Sequence, residues 1–100
     1  MVRGFDAAVE AVEAVEEVVP CVVQRHRSAG VLTWRLMRTV EAEVLSALAS
    51  TGRHSPQTLG MLRAPDALGY PQGDSPVSFE GHDFSPVIFG PIDDAWNRLN

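Results

Sequence analysis

Between Gly30 and Gly52 the sequence carries one long amphipathic pattern, and any fold open to this chain has to shelter it. Apolar residues fall at Leu32, Leu36, Met37, Val40, Val44, Leu45, Ala47 and Leu48. That is the three-and-four spacing of a helix facing a core, not the alternation of a strand. The spacing predicts a helix from Val31 to about Ala49, with Arg35, Arg38, Thr39, Ala42 and Ser46 on its wettable strip. The apolar arc covers more than half the circumference, so the helix should touch more than one neighbour. Trp34 lies at one edge, a large side chain whose indole N–H needs a partner. Gly52 follows Ser50 and Thr51, where a glycine suits the left-handed position after a helix.

The segment before this helix predicts a packing partner. Phe5, Ala8, Val12, Val15 and Val19 follow a heptad-like seam, with Asp6, Glu10, Glu13 and Glu17 opposite. The Ala-Val-Glu triplets at 8–10, 11–13 and 14–16 are too short a period for a solenoid, whose repeats run to roughly 20 residues or more. A helix over 5–19 should break or kink at Pro20, which lacks an amide donor. Cys21, Val22 and Val23 would then restart it. Charge is segregated: five acidic residues and no basic one on 5–19, then Arg25, Arg27, Arg35 and Arg38 with no acid between them. The plain expectation is a helix pair whose charged rims attract each other; the sharper one is pairing of the same charges between subunits.

Beyond Gly52 the composition changes, with six of the seven prolines lying between Pro56 and Pro91. Ser55 and Pro56 make a good helix start, N-cap then first helical position. Leu59, Met61 and Leu62 give a short helix that Pro65 stops, and residues 70–75 read as loop. Val77, Phe79, Phe84, Val87, Ile88 and Phe89 look extended, with 80–83 as a hairpin connection. Pro76 and Pro86 confine any sheet to a two-stranded ribbon. A last short helix should begin at Pro91, with Asp93 and Asp94 near its positive end and Ile92, Trp96 and Leu99 on its buried face. The fold expected is mostly α: two longer helices, short helices, and a C-terminal β-hairpin or extended wrapping tail. Residues 1–100 form one domain, with a helical core over 5–52 and the short helices, ribbon and tail over 53–100.

Composition narrows the chemistry. A chain of 100 residues, 45% hydrophobic, supports one modest core. No apolar run approaches the ~20 residues of a membrane span, and the acidic N-terminus lacks signal-peptide order. The expected location is the cytoplasm or the interior of a viral particle. All eight cations are arginine, which excludes Schiff-base and phosphate-loop lysines. Cys21, in a valine-rich stretch, reads as a core filler, and neither Gly-x-Ser-x-Gly nor a phosphate loop occurs. His82 and Asp83 are adjacent and so point to opposite sides of an extended segment. Cys21, His26, His54 and His82 show no metal-ligand spacing. No catalytic residue, cofactor, metal or small-molecule substrate is expected.

Residues 41–52 and 55–59 together resemble a helix–turn–helix, with the 76–91 ribbon standing where a winged-helix wing stands. That resemblance implies a degenerate transcriptional regulator, with its reading helix near Arg63–Tyr70. Pro65, Asp66 and Gly69 interrupt that stretch, and a net charge of −5 opposes a phosphate polyanion. Nucleic acid is therefore the second expectation. The first is a non-enzymatic subunit, adaptor or inhibitor, viral or phage components included, that docks on another protein or on its own copies. The interface candidates are Arg25, Arg27, Arg35, Arg38, Trp34, Phe84, Phe89 and Trp96, since tryptophan and arginine dominate interface energetics.

Overall fold

The computed structural model describes residues 3–65, 69–71, 73–80 and 86–99, with side chains from residue 9 onward. Four α-helices carry the described chain: α1 (Arg3–His26), α2 (Trp34–Ser50), α3 (Pro56–Leu62) and α4 (Phe89–Leu99). A 3-10 turn, Arg27–Ala29, follows α1 directly.

The first helix runs straight past the expected break, with Pro20 inside it. Proline frees the carbonyl of Glu16, four residues back. Pro20 and Glu16 are both exposed, so water can satisfy that carbonyl. Continuing the helix buries Val22 and Val23, at roughly 1.5–3 kcal/mol each, which matches or exceeds the ~3 kcal/mol of an interior proline. Their burial turns Cys21 outward; it is exposed, not the core filler its neighbours suggest. The seam is partly as expected: Val15 and Val19 are buried and Val12 is half-buried, joined by Ala11 and Ala14. The side chains of Phe5 and Ala8 lie outside the described residues.

The central helix begins three residues later than its pattern, because Thr33 caps it. The Thr33 hydroxyl accepts from the Leu36 amide at 3.2 Å. The next orphan donors of the first turn find partners far along the chain: Trp34 N–H donates to Ser75 O (3.0 Å) and Arg35 N–H to Gly73 O (2.7 Å). Met37, Val40, Val44 and Leu48 are fully buried beneath. The helix ends as expected, with Gly52 at φ 69° donating to Ala49 O. Ser55 caps α3, accepting from the Thr58 amide at 3.2 Å, with Pro56 at its first turn.

The β-hairpin is not formed: no strand occurs among the described residues. Residues 76–77 instead pair with the lead-in to α2, through a single antiparallel bridge Thr33↔Pro76 and a 2.8 Å bond from Val77 N–H to Leu32 O. Pro76 has no amide to donate, so the pairing cannot extend into a ladder. Residues 81–85, including Phe84 and most of the expected connection, lie outside the described residues. Phe89, expected in a strand, opens α4 two residues before Pro91. Gly90 N–H donates to Pro86 O and Ile92 N–H to Ile88 O, and Pro91 is tolerated in the first turn because amides there need no intrahelical partner.

The result is an all-α domain in its described part, with one core. Valines of α1 meet the inner face of α2, and at one end an aromatic group closes it. The Trp34 ring lies 5.2 Å from Tyr70, 5.9 Å from Phe79 and 6.0 Å from Phe89. Three of those rings come from beyond residue 63, so the tail wraps the helices as expected, though without a ribbon.

Candidate functional site

The polar side chains nearest the core are engaged in structure. Glu41, 3% exposed, accepts the Ala64 amide at 2.8 Å through Oε2, while Arg38 Nη1 donates to Ala64 O at 3.3 Å and lies 3.7 Å from Glu41 Oε1. The Arg38 guanidinium also sits 5.1 Å above the Phe89 ring. Arginine and glutamate, one turn apart on α2, thus grip both backbone polar groups of a single residue after α3, the amide and the carbonyl of Ala64. Glu41 was detectable from sequence by position: residues 37, 40, 41, 44 and 48 share the buried face, so an acid at 41 had to be either wrong or used.

The structure disperses the interface candidates. Trp34, Phe89 and Trp96 are buried in the protein's own core. The indole N–H of Trp96 donates to Gly30 O at 2.9 Å, tying α4 to the lead-in of α2. Arg35 faces solvent and pairs with Asp74 at 3.1 Å. Arg25 and Arg27 are exposed; Arg25 is 3.9 Å from Glu43, whose carboxylate bonds His26 Nε2 at 2.9 Å. The expected attraction between the acidic strip of α1 and the four arginines is not what forms. Among the described residues Glu10, Glu13, Glu16 and Glu17 make no ion pair, and Arg25, Arg35 and Arg38 use Glu43, Asp74 and Glu41 instead. The other side chains weighed for chemistry do not converge: no group of three metal-ligating side chains occurs among the described residues, and His82 and Asp83 lie outside them.

Two clefts flank α4. One, of about 420 Å³, runs between α1 and α4, with Val19, Pro20, Pro91 and Ala95 along it and Glu16, Asp94 and Arg98 at its edges. The other, of about 220 Å³, lies on the far flank between α4, the residues before α2 and the strap at 76–77. Asp94, Asn97 and Arg98 form the exposed ridge between them. Because α4 starts at Phe89, Asp93 and Asp94 stand in its second turn, where the helix dipole acts weakly. Partial burial, and then the neighbouring Asp94 charge, push the Asp93 carboxyl above the usual aspartate range. The opposite would hold for an acid serving the helix end. A third hollow, of about 450 Å³, is lined by Arg35, Arg38, Thr39 and Gly73, but Asp74 and Glu41 already pair with its two cations.

No helix among the described residues is long and apolar enough to cross a membrane. The helix-turn-helix resemblance places a reading helix near Arg63–Tyr70, and residues 63–65 and 69–70 are not helical. A family model described as "Protein of unknown function (DUF2471)" matches residues 3–100. No curated protein and no solved structure matches the chain.

Proposed function

We propose that this chain, which belongs to the DUF2471 family, is a non-enzymatic interaction module: a subunit, adaptor or inhibitor that docks on another protein through α4 and the groove beside it. The observation that carries this reading is the groove between α1 and α4, where Pro20 and Pro91 lie among the charged side chains of Glu16, Asp94 and Arg98 above buried Val19 and Ala95. A concave surface that mixes proline rings with charges of both signs resembles the polar, partly apolar make-up of a non-obligate protein interface. A trough between two helices suits a partner helix or extended segment. The exposed apolar side chains Met61, 81% exposed, and Val87 lie on other parts of the surface and add no groove.

The test is affinity capture from the native host, followed by equilibrium binding of the recovered partner. Reversing the rim with Glu16→Arg and Asp94→Arg should leave melting unchanged and weaken binding severalfold, mainly through slower association, the usual signature of rim charges. A partner bound equally well by that variant would move the dock elsewhere. A chain that recovers no partner and stays strictly monomeric in light scattering would end the docking reading.

A further inference from the structure

The smaller cleft on the far flank of α4 has a composition of its own. Val31, Pro76 and Val77 form one wall, and Asp93, Trp96 and Asn97 form the other. Val31 is 60% exposed at its lip. Trp96 has its only polar atom committed to Gly30 O, so it offers the cleft apolar surface. The residues before α2 and the strap contribute no charged side chain to the lining, and of the three α4 residues there, Asp93, Trp96 and Asn97, Asp93 alone is charged.

A single exposed valine needs no explanation. A half-buried carboxylate does, because burial penalises its charged form unless a cation or donor compensates. Among the described residues Asp93 has no ion pair and no side-chain hydrogen bond, unlike Asp74, Glu41 and Glu43, which each have one. Its neighbour Asp94 adds a second negative charge. The cleft is therefore a negative, partly desolvated point set among aliphatic groups.

We infer that this cleft is a binding site for a basic side chain of a partner protein, an arginine or lysine whose methylene stem lies on Val31, Pro76 and Val77 and whose head group meets Asp93. The inference deepens the docking reading and rests on it, for it names the chemistry the partner brings to α4. Long cationic side chains have both halves of the match, an apolar stem and a charged tip. A free inorganic cation would leave the aliphatic wall unused, and an acidic group would meet repulsion from both aspartates.

The test is a two-dimensional amide NMR titration of the whole chain with acetyl-Ala-Arg-Ala-amide, its lysine counterpart, and the same peptide with norleucine or glutamate in the middle. The basic peptides should shift the amides of Val31 and Val77 and the indole N–H of Trp96. The norleucine peptide should bind about tenfold more weakly, the effect of losing one charge-assisted hydrogen bond. Asp93→Asn should erase the difference between basic and neutral peptides, whereas Asp94→Asn should keep it. Val31→Ala, at an exposed position that leaves the fold intact, should weaken the basic peptides without changing their charge preference. Equal binding of neutral and basic peptides, retention of preference in Asp93→Asn, or shifts confined to Glu10–Glu17 would each overturn the site. The two readings separate in the capture experiment. Undiminished capture by Asp93→Asn sinks the cleft and leaves docking intact. A wild-type chain that captures no partner and stays strictly monomeric sinks the docking reading and this inference with it.

Discussion

The two ends of the core are built by different means. Around Val15, Val19, Val22, Val23, Val40, Val44 and Leu48 the core is aliphatic and comes from two long helices close in sequence. Around Trp34, Tyr70, Phe79 and Phe89 it is aromatic, and its members arrive from segments separated by loops. The first end needs only surface complementarity, because each helix satisfies its own backbone. The second needs polar ties, because a tail without regular structure must place its amides and carbonyls somewhere. It uses Glu41 and Arg38 on Ala64, the carbonyls of Gly73 and Ser75 on the start of α2, and Trp96 on Gly30. Stability in the aliphatic end is spread over many side chains; in the aromatic end it is concentrated in a few bonds.

That contrast can be broken at its strongest point first. Val44→Asp, which places an unpaired charge at a fully buried position of α2, should abolish cooperative folding, an effect beyond about 4–5 kcal/mol. A normal melt would show that the aliphatic end tolerates what a packed core cannot. Glu41→Ala strips the Ala64 amide and Arg38 of their buried partner and should cost about 3 kcal/mol by urea unfolding. Near-neutral behaviour would show the tail to be held by its rings alone. Trp96→Phe keeps most of the buried area and removes one hydrogen bond, so about 1 kcal/mol should be lost, a fall of roughly 4–8 °C in Tm.

The smallest effect has the opposite sign. The folded state raises the Asp93 pKa, so folding is favoured by this group only while it is protonated. That advantage is complete below the unfolded-state pKa and is lost as pH rises through the raised folded value, leaving a penalty at neutral pH. Asp93→Asn should therefore stabilise the domain at pH 7 by roughly a few tenths of a kcal/mol, and the gain should vanish below about pH 4. A variant less stable at pH 7 would mean the carboxylate has a favourable role in the free chain.

Much of the aliphatic end was legible. The buried Met37, Val40, Val44 and Leu48 of α2, the Gly52 stop and the Ser55–Pro56 start all follow from spacing and capping chemistry, which act over a few residues. Pro20 misled, because local propensity says break while two buried valines beyond it say continue, and the latter depends on what they pack against. Phe89 misled in the same way: a Val-Ile-Phe run carries no period long enough to separate strand from helix. The candidate site was less legible still. Of the aromatic interface candidates, Trp34, Phe89 and Trp96 turned out to fill the interior, while Asp93, which looked like a helix-end acid, stands in a cleft.

The sequence alone determined that the chain would be helical, with a greasy face on residues 31–49 requiring cover, since period and caps are properties of neighbouring residues. Only the tertiary structure decided which segments give that cover, that Glu41 and Arg38 would be spent inside, and that Asp93 would stand beside Val31 with no counter-ion among the described residues. Those outcomes depend on groups more than twenty residues apart meeting in space, and no local pattern encodes which donor will face which acceptor.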